Sequence, residues 1–238
     1  MSERAVIPLE SNPNIFNELG EKLGLSPVLQ FCDIYSLTDP DLLGFLPEPV
    51  YGVMLLFPLT GDYESHRKQE DSSRPKYNNE LFSEIKWVPQ TIRNGCGLYA
   101  LLHILLNIPK DLIVENLILA NFSGQLSKAI PQEDIAKLVE GLEHRIQLDE
   151  NYGVMGQTEA PEAGAHVDFH FISFIKGKNG HLYELDGRRA GPIDLGPCDG
   201  ESVIKDPKLV QKIQSYMDMA DEKNKLKFAL MGIAPSLS

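Results

Sequence analysis

The stretch "VYGVMLLFPL", residues 50 to 59, limits the fold more than any other part of the chain. It has the length of a strand and shows no alternation of apolar with polar side chains, so neither face of that strand can meet water. It belongs at the centre of a sheet with a layer packed on each side. Helical patterns supply those layers. "ESNPNIFNELGEKLGL" reads as a helix opening near Pro13 and closing around Gly24, because proline suits a first turn and glycine a C-cap. "LTDPDLLGFLPEP" repeats the grammar, with Thr38 or Asp39 as cap, Pro40 in the first turn and Pro47 as the stop. Further apolar helical patterns run from about 96 to 107, from about 110 to 122 and onward from Pro131, and another helix opens at Asp206-Pro207.

Two more strands, "VDFHFISFI" (167 to 175) and "HLYELDG" (181 to 187), flank the Gly-rich "KGKNG" and read as a hairpin, and "KLKFALMGIAP" reads as a last apolar strand. The fold class predicted is therefore α/β, in the α+β sense of a sheet flanked by helices, with residues 1 to 238 forming a single domain. No internal repeat suggests a solenoid. Residues 60 to 79 are polar, charged and aperiodic, which predicts a mobile surface loop. "DENYGVMGQTEAPEAGA", residues 149 to 165, mixes Gly and Pro breakers with acids, and a loop of that length is often functional.

Composition narrows the partners. With 34 acidic against 22 basic side chains the formal charge is -12, which disfavours nucleic acid and suits a basic protein or tail, although the charge alone would also serve solubility. No apolar run is long enough to span a membrane, and "MSERAVIPLESNP" has no signal-peptide core, so a cytoplasmic or nuclear location is expected. Cys32, Cys96 and Cys198 form neither a CxxC pair nor an even framework, which supports no disulfide scaffold and no structural zinc.

The chemistry concentrates in "QTIRNGCGLYALLH", residues 90 to 103. "RNG" offers a cap and a flexible entry, placing Cys96 in the first turn of a buried helix. Unsatisfied N–H groups and the positive end of the helix dipole stabilise a thiolate there, and an adjacent imidazolium would do so further. The same N–H groups are the raw material of an oxyanion hole, to which Gln90 could add an amide donor. Taken singly, a cysteine at the edge of an apolar helix is more often inert core.

The hairpin supplies a partner. If the turn is centred on Lys178, His170 and Asp186 oppose each other, within reach of a carboxylate–imidazole hydrogen bond that fixes the tautomer and favours the protonated ring. If it is centred on Asn179-Gly180, His170 faces Arg189 instead. His103 shares a helical face with Cys96 but lies about 10.5 Å along the axis, which suits a packed histidine rather than a base. His166, Asp168 and His170 alternate on one strand face, yet residues four apart in a strand are about 13 Å apart, too far for one metal ion to bind both histidines. His66, His144 and His181 read as solvated, Cys32 as core and Cys198 as loop.

Taken together, Gln90, Asn94, Gly95, Cys96, Gly97, Leu101, Leu102 and His103, followed by "FHF" and "YELDG", resemble the signatures of the ubiquitin carboxyl-terminal hydrolase family of cysteine peptidases. "ESNP" near the start, "QTEAPE" before the histidine strand and "LYELDGR" extend the resemblance over essentially the whole chain. It is greatest to short, compact fungal members, on the expectation that no extension follows residue 238. Gly95 stands where the family has a small Ser or Ala, and Ile104 and Leu106 replace small residues. The resemblance implies a papain-like arrangement on a mostly antiparallel sheet and a knotted backbone. It implies Cys96 as nucleophile, His170 as general base and acid, Asp186 as the residue orienting it, and Gln90 as oxyanion donor beside the Cys96 N–H. It also implies a monomer needing neither cofactor nor metal, whose partner is the basic C-terminal tail of ubiquitin or a ubiquitin-like modifier. Small or unfolded adducts would be released through a thioester, with residues 149 to 165 crossing the cleft and limiting adduct size. A catalytically silent ubiquitin-binding protein and a hydrolase of small thioesters are the other readings.

Overall fold

The computed structural model describes residues 4 to 237 apart from 75–76, 78–82, 115–117, 128–131, 158, 160, 163–164 and 166. Helix α1 (Pro13–Leu23) is capped by the Asn12 side chain and stops at Gly24, whose φ of 116° only glycine adopts without strain. Strand β1 (Leu29–Asp33), which the sequence signals did not mark, precedes α2 (Pro40–Leu43), capped by Asp39. The apolar run becomes β2 (Gly52–Pro58), followed by α3 (Gly61–Ser72) and α4 (Cys96–Leu105).

The helix expected from 110 to 122 is divided. Lys110–Leu112 forms a 3-10 turn, and α5 spans Ile118–Leu126. The backbone at 112 to 114 is drawn into a bridge with Leu25, in which Ser26 N–H donates to Leu112 O (2.9 Å) and Val114 N–H to Gly24 O (2.8 Å). Helix α6 (Gln132–Ile146) follows, its expected opening at Pro131 lying outside the described residues, and then α7 (Leu148–Asn151). Strands β3 (Phe169–Lys176), β4 (His181–Leu185) and β5 (Ile193–Pro197), helix α8 (Pro207–Asp218) and strand β6 (Ala229–Pro235) complete the chain. As anticipated, α8 opens on an Asp206 cap with proline in its first turn.

The sheet runs β1-β6-β2-β3-β4-β5 with every neighbour antiparallel. Its central β2 is buried on both sides, as its unbroken apolarity requires. Met54 faces one core, built with α1, α4, α5 and α6, whereas Val53, Leu55 and Phe57 face a second, closed by α8 and Tyr63 of α3. At the β1 edge, Asn17 of α1 accepts from Phe31 N–H (2.5 Å) and donates to Phe31 O (3.1 Å), so part of that open edge is satisfied from within the chain.

Two expectations are corrected here. Residues 61 to 72 are helical rather than a loop. The helix shows no apolar periodicity because Tyr63 is its one buried side chain, and polar bonds to residues 184 to 189 hold the rest of it in place. The hairpin register also differs from both alternatives: Ser173 pairs with Leu185 and Ile175 with Tyr183, so the turn is centred on Asn179. His170 and Asp186 are therefore diagonal neighbours rather than directly opposed. A shift of two residues preserves the face on which each side chain lies, so they still meet. Among the described residues, no helix is long and apolar enough to cross a membrane.

Candidate active site

Helix α4 lies against β3, and all ten of its residues are buried. The segment entering it is braced by Tyr99, whose hydroxyl accepts from Thr91 N–H (3.0 Å) and Ile92 N–H (3.4 Å). A Cβ on residue 95 would sit 3.3 Å from that ring and from Ile92 O, so glycine leaves room for the brace. Gly95 is the N-cap and makes no side-chain capping bond. Asn94 does not cap the helix as expected. It takes a left-handed φ of 60° and donates through Nδ2 to Ala165 O (3.1 Å), tying the turn before Cys96 to the end of the 149–165 segment. The chain start adds a second tie, with Val6 N–H donating to Arg93 O (3.1 Å) and Arg93 N–H to Arg4 O (3.0 Å).

Cys96 is 8% exposed and shares its cleft with the ring of His170. His170 Nε2 donates to Asp186 Oδ1 at 2.7 Å, which leaves Nδ1 as the nitrogen on the sulfur's side. Burial pushes the Cys96 thiol up, but the bond and charge of His170, together with N–H groups of Phe171 and Gly97, outweigh it and leave the thiol below its ordinary value. Burial would likewise lower His170. The Asp186 charge and hydrogen bond, with Cys96 adding to them, instead raise it to about 9. Asp186 resists its own burial through His170, the Arg188 N–H and Arg189, which hold its carboxyl well below the usual range. Each of these shifts moves the group towards the charged state: thiolate beside imidazolium, backed by a carboxylate.

Gln90 shares a cleft of about 180 Å³ with Cys96, His170 and Asn94. Its N–H donates to Gly187 O (2.7 Å) and its Nε2 to Ile92 O (3.1 Å), which leaves a second amide hydrogen for the cleft. Gly187 is needed for that approach, since a Cβ there would come within 2.8 Å of Gln90 Cβ. A second cleft, of about 270 Å³, also opens on Cys96 and is lined by Leu9, Glu10, Gly153, Gly156 and Phe169. Of the four residues singled out in the sequence, Gln90, Cys96 and His170 line one cleft, and Asp186 is buried behind His170.

The other histidines lie elsewhere. His103 is fully buried, with Nε2 at 2.9 Å from Val88 O and 3.1 Å from Val88 N, and burial pushes it down to about 4, so it is a neutral packed ring. His66 and His144 are exposed, His181 pairs with Asp194, and His166 lies outside the described residues. Cys198 is buried just past β5, and Cys32, read as core, is half-buried on β1. Among the described residues, no group of three or more His, Cys, Asp and Glu side chains could hold a metal ion.

Sequence reasoning missed the residues around Asp186. Tyr63 donates its hydroxyl to Asp186 Oδ2 (3.1 Å), Arg188 N–H donates to Oδ1 (2.8 Å), and Trp87 Nε1 donates to the Asp186 carbonyl (3.0 Å). Only the Arg188 bond is local enough to be read from sequence, as an Asp turn.

Residues 6–218 match the family described as ubiquitin carboxyl-terminal hydrolase, family 1. The chain is similar to the ubiquitin carboxyl-terminal hydrolase YUH1 of Saccharomyces cerevisiae, with 36% identity over 239 residues that cover 98% of this chain and 97% of that protein. A ubiquitin carboxyl-terminal hydrolase of Drosophila melanogaster is 32% identical over 228 residues, covering 95% and 96%. In three dimensions the UCH37 catalytic domain of Trichinella spiralis, solved with ubiquitin vinyl methyl ester, has the same papain-like fold, at a TM-score of 0.71 and 21% identity over 99% of this chain and 97% of that one. The chain belongs to the ubiquitin carboxyl-terminal hydrolase family of cysteine peptidases.

Proposed function

We propose that this protein is a cysteine-type ubiquitinyl hydrolase that releases adducts from the C-terminal glycine of ubiquitin or a ubiquitin-like modifier. The observation that carries the reading is Cys96 at the mouth of α4, sharing a cleft with a His170 ring that Asp186 holds at 2.7 Å. The thiolate attacks the glycine carbonyl carbon, and the oxyanion is met by the Cys96 N–H and the second amide hydrogen of Gln90. His170 gives its proton to the departing amine as the C–N bond breaks, leaving a thioester on Cys96. A water molecule, deprotonated by the now neutral ring, attacks that thioester, and the sulfur leaves as thiolate.

The two clefts that share Cys96 give the modifier tail and the leaving group separate approaches. Glu10 in one wall, and the formal charge of -12, suit a basic tail. Gly153, Gly156 and Pro161 bring the 149–165 segment to the same cleft, which supports a preference for small or unfolded adducts. The protein would act as a monomer and as one catalytic domain over residues 1 to 238, in the cytoplasm and nucleus, where its three free thiols stay reduced.

The test is reaction with ubiquitin carrying a C-terminal vinyl methyl ester, followed by mass mapping. One ubiquitin should attach, at Cys96, and Cys96→Ser should abolish both adduct and turnover while keeping affinity. Binding without adduct or turnover in the wild-type protein would replace the enzyme with a ubiquitin-binding protein, and an adduct at Cys32 or Cys198 would displace the proposed nucleophile.

A further inference from the structure

Asp186 is 1% exposed, and its two carboxylate oxygens have different partners. Oδ1 accepts from His170 Nε2 at 2.7 Å and from the Arg188 N–H at 2.8 Å. Oδ2 accepts from the Tyr63 hydroxyl at 3.1 Å. The Tyr63 ring is itself held edge-on by Phe57, at 4.7 Å between centroids, and by Tyr216, at 5.5 Å, so packing sets the direction of its hydroxyl. Burial beside Asp186 and Glu184 pushes Tyr63 far above the ordinary phenol value, which keeps it a donor at every working pH.

Helix α3 secures the rest of the same turn. Arg67 Nη1 donates to Arg188 O (3.0 Å), Glu64 pairs with Arg188 (2.9 Å), and Glu70 and Asp71 pair with the buried Arg189 (2.7 and 3.3 Å). We infer that Tyr63 is a positioning residue for the proposed reaction, its hydroxyl fixing the rotation of the Asp186 carboxylate that presents Oδ1 to His170, a role that rests on the triad proposed above. Tyr63 touches neither sulfur nor substrate in this role and acts through Asp186.

Removing the hydroxyl leaves Oδ2 buried and without that donor. The carboxylate must then either rotate, losing its aim at His170, or take up a proton at a higher pH than before. The charged and titratable groups that bear on this are His170 on β3, Arg188 and Arg189 beyond β4, Arg67 on α3 and His103 on α4, with Glu184 of β4 and Tyr216 of α8 acting on Tyr63 itself. Of these, the arginines keep their charge and His103 stays neutral above pH about 4, so a change between pH 5 and 8 reports Asp186, His170 and Cys96.

The experiment measures the rate of Cys96 alkylation by iodoacetamide against pH, together with kcat and KM on a fluorogenic C-terminal amide of ubiquitin. Three proteins are compared: the wild type, Tyr63→Phe, and Tyr216→Phe as a control. The control removes another hydroxyl of the same ring cluster, one that donates to Glu184 Oε2 (2.6 Å) rather than to Asp186. For Tyr63→Phe the expected result is kcat reduced about tenfold with KM within about twofold, and an acid limb of alkylation moved up by about half a pH unit or more. Tyr216→Phe should lose similar resistance to urea while keeping the wild-type pH profile. A Tyr63→Phe profile that superimposes on the wild type, or a Tyr216→Phe profile shifted equally, overturns the role of Tyr63 and leaves the triad standing. A wild-type thiol that alkylates like a free cysteine, unaffected by Asp186→Asn, overturns the triad and this role with it.

Discussion

A thiol as enclosed as Cys96 would ordinarily hold its proton, and here it does so less than a free thiol because His170 and two backbone N–H groups stabilise the anion. Alkylation should therefore begin below the pH at which a free cysteine reacts. Hydrolysis should fall again as pH passes about 9, where His170 loses the proton needed by the leaving amine. Asp186→Asn removes the group that holds this histidine charged. Its kcat should drop by about 10²- to 10⁴-fold, and the alkaline limb should move down towards the ordinary imidazole value. Stability follows the same two groups. His170 is raised, so its contribution is complete below its ordinary 6.5 and is lost as pH rises through about 9. Asp186 is depressed, so its contribution is complete above its ordinary 3.8 and is lost as pH falls below that. The gap in urea midpoint between wild type and Asp186→Asn should be widest from pH 3.8 to 6.5 and narrow on either side.

At the scale of elements, α3 holds the Asp186 end of the site through polar rather than apolar contacts. Arg189 joins three elements, pairing with Glu70 and Asp71 on α3 and with Glu184 on β4, and lying 3.3 Å from the Tyr216 hydroxyl on α8. Its side chain has no exposure, and neither has that of Glu184. Arg189→Met would leave the buried Glu184 with only Lys212 (3.5 Å) and the Tyr216 hydroxyl (2.6 Å), and a loss of about 1–3 kcal/mol is expected in urea unfolding monitored by far-UV circular dichroism. This element also marks where sequence reading failed. α1 and α8 announce themselves through Asn12, Pro13 and Gly24, and through Asp206 and Pro207, all within a turn of the helix end. α3 carries an N-cap at Thr60 and ion pairs such as Arg67–Glu64, but its partners lie more than a hundred residues away in sequence, and only Tyr63 enters the core. Composition made it look like a loop because composition cannot register a partner that arrives by folding.

For the whole molecule, the order of strands matters more than their number. Placing β3 beside central β2 and β4 beside β3, with α4 laid across β3, brings residues 90 to 96 against residue 170, with residue 186 behind it. The net charge of -12 acts at this scale too. In the proposed function it draws in a basic modifier tail, so stopped-flow association of ubiquitin with Cys96→Ser should slow by about tenfold between low salt and about 0.5 M, with a smaller change in dissociation. An association rate indifferent to salt would remove steering from the account and leave the chemistry untouched.

Sequence by itself determined the central strand, the capped helices and the four residue types of the site, because these depend on side-chain period and on neighbours within a few positions. It left open the face of the hairpin on which His170 and Asp186 meet, since one of the two turn centrings puts them on opposite faces. The register was decided by tertiary structure, at a turn centred on Asn179. So were the support of Asp186 by Tyr63 and Trp87 and the tie from Asn94 to Ala165. Each of these is a bond between distant parts of the chain, and its energy appears only when the whole sheet has closed around it.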